Sequence, residues 1–467
     1  MASVRFLGAA QEVTGSCHLL SSPAVGKVLL DCGMHQGGDA VDRLRDERFG
    51  FQPAEIDAVI LSHAHIDHSG LLPKLVSEGF RGPIYCTRAT ADLLQVMLND
   101  AAGLYERDLE RENLRRARRG APELQPAYTR ADVERVFKQC APQRYRETVA
   151  LGEAGTLTLH DAGHILGSAI VELTLQEQGR EKRLVFSGDL GKKDSVLLFD
   201  PEVLTRADVV MMEGTYGDRD HRTLGNTVEQ FEQVLHEAWE RGGNVMIPSF
   251  AVGRTQELLF YLGQLHQQGK LDNWEVFLDS PMAIEVTRLY DRWLSQLDCE
   301  GAKGLCSGDQ TLLRDFLPRL RLTASTDESM MINKIKRGAL IIAGSGMCTG
   351  GRIRHHFKQR IWDERNTLIF VGYQARNTLG RILVDGVKRI KLFREEYLVR
   401  AQIETLGGFS AHAGQTGLVD WVSHFETNPK VVLVHGEADA LDALAKRLWD
   451  ERQIEAMIPT QGQSLAF

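Results

Sequence analysis

The sequence lacks long apolar runs, paired cysteines and an excess of positive charge. No stretch approaches the roughly 20 uninterrupted apolar residues of a membrane-spanning helix, so no transmembrane helix is expected. The seven cysteines among 467 residues are scattered without a C-x-x-C pair, so neither a disulfide framework nor a thiolate zinc site is expected. No secretory signal opens the chain, and a cytoplasmic location is expected. A net charge of −8 excludes a general electrostatic attraction to nucleic acid and leaves only a local basic groove.

The chain also lacks internal repeats, low-complexity tracts and a long linker, which argues against a string of separate domains. Residues 1–206 have short β-runs with glycine turns, residues 207–387 alternate strands with helices, and residues 388–467 are β-rich again. Alternating strands and helices predict a parallel, doubly wound sheet. The sequence therefore predicts an α/β protein in which domain 207–387 is inserted into a domain formed by 1–206 and 388–467.

The most informative motif is HAHIDH at residues 63–68, directly after a predicted strand. His63 and His65 lie two residues apart on extended backbone, so their side chains point the same way and can share one metal. Asp67 and His68 fall where the chain turns into a helix and can reach a second metal. Burying four such groups unpaired would be costly, which favours a metal site over a polar surface loop.

Three single residues after predicted strands extend this set. They are His164 in GHILGS, Asp189 in SGDLG and His435 in VHGE. A lone histidine at such a position is more often a core residue than a ligand, but together with residues 63–68 these three indicate a dinuclear centre. A carboxylate such as Asp189 can bridge two cations with its two oxygens. The nitrogen and oxygen donors suit zinc and do not exclude manganese or iron.

These motifs, together with Asp31 in LLDCG, resemble the metallo-β-lactamase fold, an αββα sandwich with its metals at one edge. The resemblance implies two Zn²⁺ per chain, with Mn²⁺ as the alternative. One ion would be held by His63, His65, His164 and Asp189. The other would be held by Asp67, His68, the shared Asp189 and His435. Asp31 matches the family's aspartate that orients a ligand imidazole.

Further motifs are similar to motifs A, B and C of the β-CASP nucleases, which include the endonuclease subunit of pre-mRNA 3′-end cleavage and RNase J. They are Glu213 in EGTYGD, His412 in GGFSAHA, and His435 itself. The resemblance covers nearly the whole chain and implies a stand-alone bacterial member, with a doubly wound α/β β-CASP domain inserted into the sandwich. RNA-cleaving members carry histidine at motif C, as this chain does, whereas DNA-cleaving members typically carry an apolar residue.

The resemblance implies a ribonuclease that hydrolyses phosphodiester bonds of single-stranded RNA. A hydroxide held by both metals would attack phosphorus in line and leave 5′-phosphate ends. Asp67 would orient that water, His412 would protonate the leaving oxygen, and Glu213 would hold the His412 imidazole. Glycine-rich loops of the insert suit phosphates. The residues expected to contact RNA are Ser249, Arg254, Ser345, Arg352, Arg376 and Arg381.

The sequence leaves other functions open. An ester or lactam hydrolase of the same fold would use the same ligands but would not need the insert or His412. A catalytically inactive RNA-binding paralogue would have lost metal ligands, and all seven are present here. The sequence does not show whether RNA would be cut internally or from an end. It also leaves open whether the protein is a monomer or a homodimer. Each arginine of the RNA set could instead form a surface ion pair, and His355 and His356 are interpreted as a helix-face pair rather than a third metal site.

Overall fold

The computed structural model describes residues 1–35, 40–177, 179–221, 224–293, 316–372 and 374–467. These residues form two compact units. The first contains Met1–Lys193, Phe199–Asp220 and His412–Phe467, and the second contains Asp194–Leu198 and His221–Ala411. Within the described ranges, none of the helices combines the length and the apolar character that crossing a bilayer requires.

The described strands, numbered in chain order, are β1 Ser3–Gly8, β2 Cys17–Ser22, β3 Gly26–Leu30, β4 Ala58–Ile60, β5 Ile84–Thr87, β6 Cys140–Gln143, β7 Thr148–Leu151, β8 Gly155–Asp161, β9 Ala169–Glu177, β10 Arg180–Phe186, β11 Val209–Glu213, β12 Val245–Pro248, β13 Glu275–Leu278, β14 Leu320–Leu322, β15 Ala339–Ala343, β16 Thr367–Phe370, β17 Arg389–Leu392, β18 Glu395–Leu398, β19 Gln402–Thr405, β20 Lys430–Val434, β21 Ala456–Met457 and β22 Ser464–Ala466. The described α-helices are Ala40–Asp46, Ile66–Ser69, Leu72–Ser77, Arg88–Ala117, Arg130–Gln139, Leu224–Glu240, Arg254–Gln267, Pro281–Arg292, Thr326–Met331, Ile353–Arg360, Leu379–Val384, Gln415–Val422 and Ala438–Arg452.

The first unit is a sandwich of two seven-stranded sheets. One has the strand order β22-β1-β2-β3-β4-β5-β6 and the other β21-β20-β11-β10-β9-β8-β7. Side chains alternate between the two faces of a strand. In β11, Val209 and Met211 are therefore buried against the other sheet, in a core shared with Val28 of β3. Val210 points the opposite way, into a core shared with Leu444 of a covering helix. Helix Arg88–Ala117 packs on β5 and β6, and the predicted αββα sandwich is confirmed.

The second unit contains a six-stranded sheet of order β14-β13-β15-β12-β16-β19, in which neighbouring strands are parallel. Val245 and Ile247 of β12 lie in a core with helices on one face. Met246, between them, lies in the core on the opposite face with Phe357 of helix Ile353–Arg360. Parallel sheets are stable when both faces are covered. The predicted doubly wound α/β insert is therefore confirmed, and β17 and β18 add an antiparallel hairpin to it.

The unit boundaries lie elsewhere than the predicted 206/207 and 387/388. Strand β11 pairs with β10 and β20, which keeps the chain in the first unit until Asp220. Strand β19 pairs in parallel with β16, which keeps it in the second unit until Ala411. All five residues of β11 are buried, so its apolar run looks like the strands of the parallel sheet that follow it.

Candidate metal centre

Every candidate ligand except His164, which lies between the antiparallel strands β8 and β9, follows a strand with a parallel neighbour. Residues 63–68 follow β4, which pairs in parallel with β3, and Asp31 follows β3. Asp189 follows β10 and His435 follows β20, on either side of β11, which ends at Glu213. Loops at the carboxyl ends of parallel strands meet at one edge of a sheet. His68 and His435, more than 360 positions apart, follow strands of different sheets, β4 and β20. Their contact therefore also shows that the two sheets of the sandwich present these strand ends at the same edge.

Four of the predicted ligands form a first group: His63, His65, His164 and Asp189. The Nδ1 atom of His65 lies 3.1 Å from His63 Nε2 and 3.3 Å from His164 Nε2. Asp189 Oδ2 lies 3.5 Å and 3.6 Å from the same two Nε2 atoms. A tetrahedral zinc ion with bonds of about 2.0–2.1 Å holds its ligand atoms about 3.3 Å apart. The donor spacing therefore fits a tetrahedral zinc ion.

Three further predicted ligands, Asp67, His68 and His435, form a second group. The Nε2 atoms of His68 and His435 are 3.2 Å apart, and Asp67 Oδ2 lies 3.9 Å from His435 Nε2. Asp189 Oδ1 lies 3.4 Å from His68 Nε2 and 3.4 Å from His435 Nδ1. This oxygen is buried and receives no hydrogen bond of normal geometry. The two oxygens of Asp189 thus face different groups, as expected of a carboxylate that bridges two cations.

Burial sets the protonation of most of these groups. It lowers the pKa of His63 and His164 well below their usual range, and that of His65 to about 4. These imidazoles are therefore neutral, the state that binds metal. Burial opposes ionisation of Asp189, yet the neighbouring His435 and His68 hold its pKa well below its usual range. Asp189 is consequently a carboxylate.

The buried carboxylate of Asp31 fixes the ring of His68. His68 Nδ1 lies 2.7 Å from Asp31 Oδ2, so its Nε2 faces the second ligand group. Ser62 donates its backbone N–H at 2.8 Å, and Ser16 donates its hydroxyl at 3.0 Å. Sequence reasoning found Asp31 and missed both serines, because nothing in the sequence distinguishes them from other serines. Thr215, whose hydroxyl lies 3.2 Å from His435 Nδ1, was missed for the same reason.

His412 lies beside the first ligand group and belongs to none of the ligand groups found among the described residues. Its Nδ1 lies 3.1 Å and 3.2 Å from the two carboxylate oxygens of Glu213 and 3.9 Å from Asp189 Oδ2. Glu213 is fully buried, and Leu190 donates its backbone N–H to Oε1 at 2.6 Å. Burial opposes the charge on His412, but the Glu213 carboxylate raises its pKa to about 9. The imidazole is therefore protonated at neutral pH.

The residues expected to contact RNA all lie in the second unit. Ser249 and Arg254 are buried, and Arg254 pairs with Glu257. The other four lie at or near the surface: Ser345, Arg352, Arg376 and Arg381. Two of these arginines form ion pairs, Arg352 with Asp279 at 2.8 Å and Arg381 with Asp385 at 2.7 Å.

His355 and His356 point in different directions. His356 is buried, and its Nε2 lies 2.7 Å from Asp279 Oδ2. His355 is exposed and stacks on Phe393, with ring centroids 4.6 Å apart. The two rings therefore have separate partners.

This fold and site place the chain in the metallo-β-lactamase superfamily, in its β-CASP branch. The sequence matches the family described as metallo-beta-lactamase superfamily over residues 12–238 and the Beta-Casp domain over residues 255–383. Residues 396–459 match the Zn-dependent metallo-hydrolase RNA specificity domain.

Among individual relatives, Ribonuclease TTHA0252 of Thermus thermophilus is 42% identical over 443 residues, which cover 94% of each chain. Transcription termination factor FttA of Methanocaldococcus jannaschii is 34% identical over 93% of this chain and 67% of its own length. An RNase J-like protein of the same archaeon is 29% identical over the whole of both chains. A solved structure from Enterococcus faecalis V583, titled as a protein of unknown function, superposes with a TM-score of 0.53 at 13% identity and supports the fold alone.

Proposed function

We propose that this chain is a zinc-dependent ribonuclease of the cytoplasm that hydrolyses single-stranded RNA. One observation carries the proposal: the two oxygens of Asp189 face two different ligand groups, and His412, which the Glu213 carboxylate keeps protonated, lies beside them. The 42% identical relative that is named a ribonuclease supports RNA as the substrate. A lactam or ester hydrolase would need the ligand groups but no protonated histidine beside them.

One zinc ion would be held by His63, His65, His164 and Asp189, and a second by Asp67, His68 and His435 with the other oxygen of Asp189. Bound there, they would supply Lewis acidity toward a phosphoryl oxygen and an activated water. The side chain of Asp67 is the more exposed member of its ligand group, so it is the carboxylate best placed to orient the attacking water. Asp31 keeps the His68 ring in its binding orientation.

His412 acts as the general acid. Its Nδ1 is engaged by Glu213, so the proton on Nε2 is the one available for transfer. In-line attack at phosphorus expels the ribose 3′-oxygen, which must take up a proton as the bond breaks. Transfer from His412 Nε2 to that oxygen leaves one product with a 3′-hydroxyl end and the other with a 5′-phosphate end.

The depth of the ligands supports a single-stranded substrate. His63 is fully buried, and His164 and Asp189 are nearly so. A scissile phosphate must therefore enter a recess to reach the groups, which a flexible single strand does more readily than a stiff duplex. His435 matches the histidine that RNA-cleaving members carry at motif C, which favours RNA over DNA.

The test compares matched RNA and DNA oligonucleotides, an RNA duplex and a chromogenic lactam with one zinc-loaded preparation. We expect cleavage of single-stranded RNA to 5′-phosphate products, much slower cutting of the other substrates, and up to two zinc ions per chain by elemental analysis. Chelation should abolish cleavage. Turnover of the lactam with intact RNA would move the chain to the small-molecule branch, and full activity in metal-free protein would refute the metal centre.

A further inference from the structure

The hairpin of β17 and β18 has an unusual turn. Phe393 and Arg394 connect the two strands, and both have positive φ angles, +50° and +72°. Two-residue hairpin turns that need two positive φ angles normally use Asn-Gly or Asp-Gly, because a bulky side chain is strained there. A large aromatic residue kept in a strained conformation points to a use for that side chain.

The strained turn holds the Phe393 ring against helix Ile353–Arg360. The ring stacks on His355 with centroids 4.6 Å apart and an interplanar angle of 28°. The guanidinium carbon of Arg354 lies 5.3 Å from the ring centroid. Despite these contacts Phe393 is 42% exposed, and His355 is exposed as well. Two adjacent aromatic rings are thus fixed in place at the surface.

Positive charge surrounds these rings. The hairpin and the residue before it carry Lys388, Arg389, Lys391 and Arg394, and the helix adds Arg354 and Lys358. The opposing carboxylates are Glu395, 3.6 Å from Lys358, and Glu396, 2.9 Å from Arg389. The local balance is positive, whereas the whole chain carries a net charge of −8.

We propose that Phe393 and His355 form a stacking platform for bases of single-stranded RNA, and that Arg354, Lys391 and Arg394 contact the adjacent phosphates. The inference rests on the proposed function for its choice of RNA. Single-stranded nucleic acid is bound by aromatic faces within basic grooves, and this binding is tolerant of sequence because every base has a π face. The platform therefore adds affinity without selecting a sequence.

The decisive variant is Phe393→Gly, which removes the ring and places at the turn the residue that tolerates a positive φ best. Fold stability should not fall, whereas affinity for an unstructured 20-nucleotide RNA should fall about 5- to 150-fold, the range for one lost base stack. Binding is measured by fluorescence anisotropy in chelator, so that no cleavage occurs. Phe393→Trp should bind within about threefold of the wild type, because it keeps an aromatic face.

The matched control is Phe199→Ala in the first unit, which removes a ring that is 47% exposed beside Asp200 and Glu202. It should leave RNA affinity unchanged. Arg394→Gln should lower the slope of log affinity against log salt by about 0.7, the value for one phosphate contact with a single strand. Phe393→Gly should leave that slope unchanged.

Two results would overturn the platform. The first is an unchanged RNA affinity in Phe393→Gly. The second is a change in the oligomeric mass of that variant without a change in RNA binding, which would assign the rings to a protein interface. Cleavage by the zinc-loaded wild type is scored separately. If the wild type cleaves RNA while Phe393→Gly binds normally, the platform fails and the ribonuclease stands. If Phe393→Gly loses affinity for RNA but the wild type does not cleave RNA, the platform stands and the ribonuclease fails.

Discussion

Two buried carboxylates in the first unit each bind the Nδ1 atom of a histidine, with different consequences. Asp31 holds His68 so that its Nε2 lies 3.2 Å from His435 Nε2, within a ligand group. Glu213 holds His412, which belongs to no ligand group found among the described residues. Under the proposed function, His68 binds a metal and His412 carries a proton, although both imidazoles are held by a buried carboxylate.

Replacing His412 by alanine separates these two roles. His412→Ala should lower the rate of RNA cleavage by about 10²–10⁴-fold, the usual range for a general acid. Zinc content should stay at the wild-type value because the ligand groups remain complete. His424→Ala, at an exposed position, is the control and should be fully active. Loss of zinc in His412→Ala would make His412 a ligand and remove the general acid from the mechanism.

The pH dependence of cleavage should report the Glu213–His412 pair. The Glu213 carboxylate raises the pKa of His412 to about 9, so the acid stays protonated through neutral pH and the rate should fall as pH rises through about 9. In Glu213→Gln the charge that raises the pKa is gone, and the fall should begin at lower pH. Rate profiles from pH 6 to 10 on one RNA oligonucleotide would check this. An unshifted alkaline limb in Glu213→Gln would assign that limb to another group.

The sequence indicated the residues of the site to different extents. Residues 63–68 stand out because His63, His65, Asp67 and His68 are close in the chain, and spacing alone suggests that they act together. Ser16 and Ser62 bind Asp31 from separate segments, and serines are too common for such a role to be visible in a sequence. The burial of Arg254 was missed because its partner Glu257 lies three residues later, on the next helical turn. A buried ion pair and an exposed one have the same spacing in a helical sequence.

At the scale of elements, strands β8 and β9 are tied together by charge as well as by backbone pairing. His160 of β8 has Nε2 2.8 Å from Glu172 of β9 and Nδ1 3.4 Å from Glu202. Burial opposes protonation, but hydrogen bonds to these two carboxylates raise the pKa of His160 to about 9. The charged histidine therefore stabilises the folded state at neutral pH.

This cluster predicts a pH-dependent stability. Because the pKa of His160 is raised from 6.5 to about 9 on folding, its contribution is complete below pH 6.5 and is lost as pH rises through 9. The free energy of unfolding should therefore exceed that of His160→Gln most clearly near pH 6, and the difference should shrink by pH 9.5. Urea titrations at both pH values measure it. His236→Gln, at an exposed position, should show no such change, and a constant difference for His160→Gln would contradict the pKa shift.

Element positions followed from the sequence where apolar periodicity was strong. Residues 226–241 have the apolar period of a helix, and the structure has a helix at Leu224–Glu240. Residues 339–343 are a short apolar run typical of a buried strand, and they form β15. The sheet to which each strand belongs could not be predicted from the sequence, since it depends on which strands pair and not on the local pattern of residues. Strand β11 joins β10 and β20, and β19 joins β16, so both domain boundaries were misplaced although the insertion itself was predicted.

At the scale of the whole molecule, the first unit needs its closing segment His412–Phe467. That segment supplies β20, which pairs with β11, and β22, which pairs with β1. A chain ending at Ala411 should be insoluble because β11 and β1 each lose a partner strand and become open edges. It should also lack His435 and RNA-cleaving activity. Expression, zinc analysis and an RNA assay check this, and co-expression of residues 412–467 should restore solubility. A truncated protein that folds, binds two zinc ions and cuts RNA would refute the inserted arrangement.

The wide separation of the ligands in the chain has a consequence in time. The first ligand group is complete once Asp189 has been synthesised, whereas the second waits for His435, 246 residues later. A ribosome adding about 5–20 residues per second takes roughly 12–50 s to cover that distance. Under the proposed two-metal mechanism, a nascent chain would therefore complete one ligand group long before the other, and it would stay inactive toward RNA until His435 had been added.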